Sequence, residues 1–318
     1  MNAAARDSAP RPRHLLTLAG IDRDYLAALL DRAAALRVRF ATDPRPLDLL
    51  DGRTVVNLFF EPSTRTRTSF ELATRRLGAT AIHFDVANSS TRKGETLEDT
   101  LATIEAMGCD AFVVRHAENG TPERLAAHAR HASVINAGDG NHAHPTQGLT
   151  DLLTLRDRKD RIDGLRVAIC GDIRHSRVAR SAIHGLQALG AAPVRLCGPA
   201  TLLPDQAEVP GCELGTDFDA AIEGVDAIMM LRLQKERMTA AMPAGEDDYF
   251  KHYGLDAGRL ARARRDAVVL HPGPINRGVE IATDVADGPQ SAILDQVHNG
   301  VFVRMAVLAS LLEPAQAA

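Results

Sequence analysis

The chain has 318 residues, more than one ordinary core accommodates and enough for two domains of about 150 residues each. Its apolar fraction of 45% and charged fraction of 25% are typical of globular proteins. The net charge of −4 argues against a nucleic-acid-binding surface, which usually carries a basic excess, although it leaves room for a local positive pocket.

The four cysteines, Cys109, Cys170, Cys197 and Cys212, are scattered and form no Cys-x-x-Cys pair. This usage predicts reduced, mostly buried thiols, as in cytoplasmic proteins. No apolar run approaches the roughly 18 residues of a membrane span, and residues 1–13 lack the apolar core of a signal peptide. We therefore expect a disordered lead over residues 1–13 and a cytoplasmic protein that binds neither membrane nor nucleic acid.

Segments with strand and helix patterns alternate along the chain, beginning with an amphipathic helix at 26–40. The first series of predicted elements is strand 53–60, helix 64–78, strand 79–84, helix 95–108, strand 110–116, helix 121–132 and strand 133–138. The second series is helix 144–158, strand 166–172, helix 176–190, strands 192–197, 226–232 and 266–272, and the C-terminal helix 291–313. The Pro- and Gly-containing stretch 242–254 is predicted to be a mobile surface loop.

Strands that alternate with helices indicate parallel sheets covered on both faces. The two series predict two doubly wound α/β domains, each with a central parallel sheet flanked by helices, linked by interdomain helices. We expect one domain over 14–148, completed by the C-terminal helix at about 290–318, and another over 149–289. Ligands of such folds bind beyond the carboxyl ends of the strands, so the residues that follow each strand are the candidates for a site.

The segment EPSTRTR places cations at a helix N-terminus. Ser63 is the predicted N-cap, so Arg65 and Arg67 fall in the first turn, where the macrodipole is already positive. Exposed cations there cost about 0.3–1 kcal/mol each, which an anion bound to the open N–H groups and to the hydroxyls of Thr64 and Thr66 would offset. We predict a phosphate site; the alternative is a solvated arginine pair. A Walker A loop is excluded because no Gly-Lys-Ser/Thr occurs here.

Other strand ends in the first half carry polar groups that fit the same ligand. Arg115 ends one predicted strand, and His144 precedes a helix whose first position suits Pro145. Gln147 follows three residues later on the same face, so the pair can polarise a carbonyl oxygen and accept from an amide. Two alternatives stay open: His144 only caps its helix, or it binds a metal together with His142, although no nearby Cys or carboxylate completes the ligand set.

In the second half, CGDIRHSRVARS has the strand–turn–helix pattern of a nucleotide-binding domain. It has one glycine where Gly-x-Gly-x-x-Gly is expected, and the next strand lacks an acidic ribose ligand, so a nicotinamide site is disfavoured. Arg177 lies beside the helix start, and Arg232 and Gln234 follow another strand. Arginines at strand ends fit carboxylate recognition, since the guanidinium fork contacts both oxygens; the alternative is ordinary surface charge.

Taken together, six stretches resemble the catalytic chains of aspartate carbamoyltransferases, within the wider carbamoyltransferase superfamily. They are FFEPSTRTRTSFE, VVRH, HPTQGLTDLLT, GDIRHSRVARS, LRLQKER and HPGPINRGVEI, in the family's order from about residue 14 to 312. The Ser-Thr-Arg-Thr-Arg and His-Pro-x-Gln motifs belong to the superfamily, whereas LRLQKER and HPGPINRG are similar to the aspartate type. The His-Cys-Leu-Pro turn of ornithine-type members does not occur here.

The resemblance implies roles residue by residue. It implies that Arg115 bridges the phosphate and the carbonyl group of carbamoyl phosphate, and that His144 contacts the carbonyl oxygen. It further implies that the phosphate is bound by Ser63, Thr64, Arg65 and Thr66, and the carbamoyl amide by Gln147 and the backbone of Gly273 and Pro274. The aspartate carboxylates are implied to bind to Arg177, Arg232 and Gln234. Lys93 is implied to reach the site of a neighbouring subunit, together with one of Ser89, Ser90 or Thr91. The implied catalytic residues are Arg65, Thr66, Arg115 and His144. Arg67 is expected to point away and to pair with a carboxylate such as Glu61.

The activity implied by the resemblance joins carbamoyl phosphate and L-aspartate into N-carbamoyl-L-aspartate and phosphate, for pyrimidine biosynthesis. It implies no metal or organic cofactor, and a homotrimer with active sites shared between subunits. Some relatives assemble further with a regulatory chain or with dihydroorotase. The competing hypotheses are a carbamoyltransferase for ornithine or another amino acid, a catalytically silent anion-binding regulator of the same fold, and a nicotinamide oxidoreductase.

Overall fold

The computed structural model describes residues 12–84, 94–233 and 246–314. They fall into two compact units. The first comprises the described parts of 1–17, 21–139 and 301–318, and the second comprises 18–20 and 140–300. Within the described residues, no helix is both long enough and apolar enough to cross a membrane.

The first unit is built on a four-stranded parallel sheet. Its elements are α1 (Arg23–Thr42), β1 (Thr54–Phe59), α2 (Thr64–Arg76), β2 (Thr80–Phe84), α3 (Leu97–Glu105), β3 (Ala111–His116), α4 (Thr121–His128) and β4 (Ser133–Asp139). The strand order is β2-β1-β3-β4. Side chains of β1 and β3 such as Val56, Leu58 and Phe112 pack with Leu101 and Leu125 in one buried cluster. The chain winds outward from β1 to β2 and then continues on the other side of β1, which makes the sheet doubly wound.

The second unit contains a five-stranded parallel sheet with the strand order β7-β6-β5-β8-β9. Its elements are α5 (Pro145–Lys159), β5 (Val167–Cys170), α6 (Arg177–Ala188), β6 (Val194–Cys197), β7 (Cys212–Gly215), α7 (Phe218–Ile222), β8 (Ala227–Met230), α8 (Glu246–Tyr253), α9 (Ala257–Leu260), β9 (Val268–Leu270), α10 (Thr283–Ala286) and the start of α11 (Ile293–Leu312). Two parallel sheets flanked by helices confirm the predicted fold class.

Two local predictions are wrong in part, and several short elements were not predicted. The loop predicted over 242–254 is wrong for 246–253, which form α8, because the buried ring of Tyr249 packs with Leu202, Leu233 and Val279. Strand β7 and helices α7, α9 and α10 were not predicted; each has only four or five residues.

The helix predicted at 121–132 ends at His128. Ala129 turns to an extended backbone, and the buried carboxylate of Glu105 accepts the N–H groups of Arg130, His131 and Ala132. These bonds satisfy the N–H groups outside a helix, so α4 is one turn shorter than its apolar spacing indicates.

Candidate active site

In the first unit, the candidate residues lie at the point where the strand order reverses. Strands β1 and β3 are neighbours, and Phe59 at the end of β1 pairs in register with Arg115. The loop that carries Ser63 to Thr66 leaves β1 directly after this pair. Such a switch point is where open α/β sheets bind ligands, so the structure brings the predicted phosphate residues and Arg115 to the same sheet edge.

Helix α2 begins as the sequence predicts. Ser63 occupies the N-cap with an extended backbone, but its side chain makes no capping hydrogen bond. Thr64 and Arg65 are exposed and Thr66 is buried. The first turn holds no acidic side chain, so nothing in it offsets the positive end of the macrodipole. The N-terminus of α2 therefore has the electrostatics of an anion site.

Arg115 is held beside this helix start by a carboxylate. One guanidinium nitrogen lies 3.2 Å from Glu61 Oε2, the other donates to the carbonyl of Ala137 at 3.2 Å, and the side chain is 12% exposed. Since Glu61 comes two residues before Ser63, this contact fixes the guanidinium next to the loop. Glu61, the example given for a carboxylate partner of Arg67, contacts Arg115, and the pairing of Arg67 with a carboxylate stays a prediction.

In the second unit, His144 stands at the start of α5. It occupies the N-cap position and is 4% exposed, yet its ring makes no capping hydrogen bond. Its backbone N–H donates to Ser181 Oγ at 2.9 Å, which ties the start of α5 to α6. Simple ring capping therefore does not explain this histidine. Among the described residues, no three His, Cys, Asp or Glu side chains are grouped as a metal site would require.

Two glycines allow α5 and α6 to approach closely. A Cβ at Gly148 would lie 3.1 Å from Ser181 Cβ in α6, and a Cβ at Gly185 would lie 2.5 Å from Leu152 Cδ1 in α5, so neither position accepts a side chain without rearrangement. This packing places the first residue of α6, Arg177, near the loop before α5. Its buried guanidinium donates to the carbonyl of Gly140 at 2.9 Å. The structure thus links two of the predicted site residues, His144 and Arg177, to adjoining helix starts.

Gln147 connects to the Pro-Gly-Pro turn at residues 272–274 through buried side chains. Its Nε2 donates to Asp151 Oδ1 at 2.7 Å, and the same oxygen accepts Gln296 Nε2 at 2.7 Å. Gln296 Oε1 in turn accepts the backbone N–H of His271 at 2.9 Å. The turn that contains Gly273 follows directly, and the Gly273 N–H donates to His271 Nδ1 at 2.8 Å. The two elements predicted to meet the carbamoyl amide are therefore parts of one hydrogen-bonded chain.

The switch point of the second sheet lies between β5 and β8, where Cys170 pairs in register with Met230. The residues that follow β5 lead to Arg177, and half-buried Arg232 follows β8. A hydrogen bond with Cys197 and burial raise the pKa of the Cys170 thiol well above its usual value, so this cysteine is protonated and is no nucleophile. All four cysteines are buried free thiols, as predicted.

Some candidates lie outside the described residues, and some important residues were not predicted. Gln234, Lys93 and the hydroxyl residues Ser89, Ser90 and Thr91 fall in the first group. The second group comprises Glu61 as the partner of Arg115, and Ser181, Asp151 and Gln296. For Asp151, a signal was present: it is an acid within an otherwise apolar helical stretch, four residues after Gln147.

Comparison with known proteins covers both units. Residues 13–157 match the family model for the carbamoyl-P binding domain of aspartate/ornithine carbamoyltransferases, and residues 163–311 match the model for the Asp/Orn binding domain. The chain belongs to the aspartate/ornithine carbamoyltransferase family. The resemblance identified from the six sequence stretches is thereby confirmed.

Individual members of the aspartate/ornithine carbamoyltransferase family match along nearly their whole length. The aspartate carbamoyltransferase catalytic subunit of Xanthomonas campestris pv. campestris is 57% identical over 314 residues, which cover 98% of this chain and 100% of that protein. Aspartate transcarbamoylase from Trypanosoma cruzi, in complex with carbamoyl phosphate and aspartate, superimposes with a TM-score of 0.85 at 33% identity, covering 94% of this chain and 96% of the other. Ornithine carbamoyltransferase from Thermus thermophilus gives 0.83 at 29% identity, with 95% and 99% covered. The fold alone therefore does not separate the aspartate and ornithine members.

Proposed function

We propose that this chain transfers the carbamoyl group of carbamoyl phosphate to the α-amine of L-aspartate, producing N-carbamoyl-L-aspartate and phosphate for pyrimidine biosynthesis. The observation that carries the proposal is the N-terminus of α2, which has cations and hydroxyls in its first turn, no acid, and Arg115 fixed beside it through Glu61. Aspartate is favoured over ornithine by the 57% identity to a named aspartate carbamoyltransferase catalytic subunit and by the LRLQKER and HPGPINRG stretches.

The first unit supplies the contacts to phosphate. The open N–H groups of α2, the hydroxyls of Ser63, Thr64 and Thr66, and the guanidinium of Arg65 are the donors for its oxygens. The guanidinium of Arg115 already contacts Glu61 and Ala137. Because a guanidinium has five N–H donors, Arg115 can contact the ligand as well. We assign residues 14–148 with 290–318 to carbamoyl phosphate and 149–289 to aspartate.

The chemistry needs orientation more than covalent help from the protein. The amine of aspartate attacks the carbamoyl carbon, a C–N bond forms, and the C–O bond to phosphate breaks. Negative charge develops on the carbonyl oxygen, where we place Thr66, Arg115 and His144 as donors; one well-placed donor contributes roughly 3–4 kcal/mol. Holding both substrates in line contributes up to about 7–11 kcal/mol. The departing phosphate takes the amine proton, so no side-chain base is required.

Aspartate recognition falls to the second unit. Arg177 and Arg232 follow strands that meet at its switch point, and guanidinium groups bind carboxylates through two parallel hydrogen bonds. Gln234 and Lys93 complete this set by family resemblance, with Lys93 donated by a neighbouring subunit of a homotrimer. We place the enzyme in the cytoplasm, in keeping with four buried free thiols, and higher assembly with a regulatory chain or dihydroorotase is part of the same family-based proposal.

The deciding experiment measures product formation from carbamoyl phosphate with aspartate and, separately, with ornithine. We expect turnover with aspartate and none above background with ornithine. Turnover with ornithine alone would transfer the proposal to the ornithine type. No turnover with either amine, combined with tight carbamoyl phosphate binding, would identify a silent anion-binding protein.

A further inference from the structure

Asp151 is a buried carboxylate in the middle of α5, and it accepts hydrogen bonds from two side-chain amides. Gln147 reaches it from one turn earlier in the same helix, and Gln296 reaches it from α11, both at 2.7 Å to Oδ1. Only 3% of Asp151 is exposed. Burying a carboxylate is costly unless it is paired and hydrogen-bonded, so the partners of Asp151 are informative about its role.

One backbone group determines the direction of the hydrogen bonds that link His271, Gln296 and Asp151. The N–H of His271 can only donate, so the group that faces it must be Gln296 Oε1. The NH2 group of Gln296 then faces Asp151, and an ionised carboxylate can only accept. The assignment of the amide atoms therefore follows from chemistry rather than from the similar sizes of oxygen and nitrogen.

Asp151 fixes the orientation of the Gln147 amide. Because Asp151 takes its NH2 group, the oxygen Oε1 points the other way. Gln147 is half-buried, and within the described chain its Oε1 receives no donor. The side chain therefore presents a hydrogen-bond acceptor of fixed orientation at the start of α5, three residues from His144.

We propose that Asp151 is a positioning residue that determines specificity for the carbamoyl group: by holding the NH2 of Gln147, it presents Oε1 as an acceptor for the carbamoyl N–H. This inference rests on the proposed function. A carbamoyl group carries two N–H donors where an acetyl group carries a methyl, and a site built to pair an N–H discriminates against the analogue that lacks it. Without Asp151, the Gln147 amide turns freely and offers NH2 as often as oxygen, so discrimination falls.

The test compares the binding of carbamoyl phosphate with that of acetyl phosphate, which replaces NH2 by CH3. Equilibrium binding is measured, so the result does not depend on turnover or on aspartate. In Asp151→Leu we expect the ratio of the two affinities to fall about tenfold, which corresponds to the contribution of one hydrogen bond. In a Gln147→Ala background, Asp151→Leu should change the ratio no further, because Asp151 acts through Gln147.

Asn299 provides a matched control. It also joins α11 to α5, donating to Thr154 Oγ1 at 3.0 Å and to Asp157 Oδ2 at 2.9 Å, but it has no link to Gln147. Asn299→Ala should lower stability and leave the affinity ratio unchanged. The inference is wrong, and Asp151 is only structural, if Asp151→Leu weakens the binding of both ligands equally. The same holds if it lowers the affinity ratio equally in the presence and absence of the Gln147 side chain.

Asp151→Leu leaves the Gln296 amide without its acceptor. If that variant does not fold, Asp151→Leu combined with Gln296→Met replaces both buried partners by apolar side chains of similar size, which is far less costly. The same fall in ratio is expected, since Gln147 is released in both. A different result would contradict the proposed function itself: a wild type that binds neither ligand through its phosphate group, or that transfers no carbamoyl group.

Discussion

His271 and Glu280 form a fully buried hydrogen bond in which the histidine is the donor. Nε2 lies 3.1 Å from Glu280 Oε1, and neither side chain is exposed. The Gly273 N–H donates to Nδ1, so the ring proton is on Nε2. Glu280 Oε1 also accepts the N–H of Asn276 at 2.6 Å. The Pro-Gly-Pro turn is therefore held at both ends by one histidine–carboxylate pair.

We expect His271→Ala to lower the free energy of unfolding by about 2–4 kcal/mol, because the Gly273 N–H loses its acceptor and the buried carboxylate of Glu280 loses one of its donors. Carbamoyl phosphate binding should weaken as well, since the turn loses its fixed shape. Urea unfolding and equilibrium binding measure the two effects. Arg277→Ala is the control in the same turn, because its ion pair with Asp287 is exposed and contributes little to stability. Equal effects of the two substitutions would contradict the role given to the buried pair.

Arg65→Ala should raise the stability of the ligand-free protein slightly, by about 0.3–1 kcal/mol, because it removes a cation from the positive end of α2. The same change should sharply reduce the stabilisation that phosphate or carbamoyl phosphate gives in thermal melts. Arg67→Ala removes a second exposed cation from the same helix start and serves as the matched control, with the ligand effect retained. A wild type that gains no stability from phosphate would remove the anion-site interpretation.

Glu105 stabilises the end of α4 through charge-assisted hydrogen bonds. Its Oε1 accepts the N–H groups of Arg130, His131 and Ala132 at 2.8–3.0 Å. We expect Glu105→Ala to lower the free energy of unfolding by roughly 2–4 kcal/mol, because three N–H groups, of which that of Ala132 is buried, lose their acceptor. An exposed acid outside the helices, such as Asp51, is the control, and Asp51→Ala should change stability by less than about 0.5 kcal/mol.

The same carboxylate predicts a pH dependence. Burial acts to raise the pKa of Glu105, but the three backbone N–H groups and the charge of His131 outweigh it, so the pKa lies below its usual value. A lowered folded-state pKa gives stability that is fully present above the unfolded pKa of about 4.3. That stability is lost as the pH falls through the folded-state pKa. The difference in unfolding free energy between wild type and Glu105→Gln should therefore shrink below about pH 4; a constant difference would show that Glu105 stays ionised or contributes no charge effect.

The residues at the two switch points could be predicted because each follows a buried apolar run directly. Arg115 is the third residue of VVRH and Arg232 ends IMMLR, so a local pattern places both near the carboxyl end of a strand. The parallel order of the strands then brings those ends to one edge of each sheet. At these two places the strand, its direction and the position of the site all follow from neighbouring residues.

The supporting contacts could not be predicted, because they join distant parts of the chain. Asp151 and Gln296 are 145 positions apart, and in the sequence each is only a polar residue on an apolar helix. Similarly, Gly and Pro suggested a loop before Tyr253, whereas Tyr249 packs on Leu202, Leu233 and Val279 and makes the segment helical. Tertiary packing outweighed the local signal in both cases.

His144→Ala should lower kcat more than it raises KM for carbamoyl phosphate, because the histidine is placed for an oxygen whose charge grows in the transition state. Steady-state kinetics at saturating aspartate measures the two parameters. His142→Ala is the control two residues earlier, on an exposed side chain, and should leave kcat near the wild-type value. Equal losses in both variants would favour a shared role for the two histidines, such as metal binding, and a normal kcat for His144→Ala would leave it a purely structural residue.

Lys93 lies outside the described residues, in a polar segment, SSTRKGE, that is poorly suited to a core. The proposed homotrimer gives it a function, since a cyclic head-to-tail contact lets a loop of one subunit reach the site of the next. Lys93→Ala would then spoil the donated loop, and His144→Ala the receiving pocket. Each variant alone should be nearly inactive.

Mixing the two variants and letting their subunits exchange should restore part of the activity. In a mixed trimer, a His144→Ala subunit donates an intact Lys93 to a neighbour whose His144 is intact, and that site has every residue it needs. Size-exclusion chromatography with distinguishable tags confirms that exchange has occurred, and the activity of the isolated mixed trimers is then compared with that of the parents. A Lys93→Ala variant mixed with itself controls for the dilution and reassembly steps. If confirmed mixed trimers are no more active than the parents, Lys93 acts within its own chain or takes no part in the reaction, and the shared-site proposal is wrong.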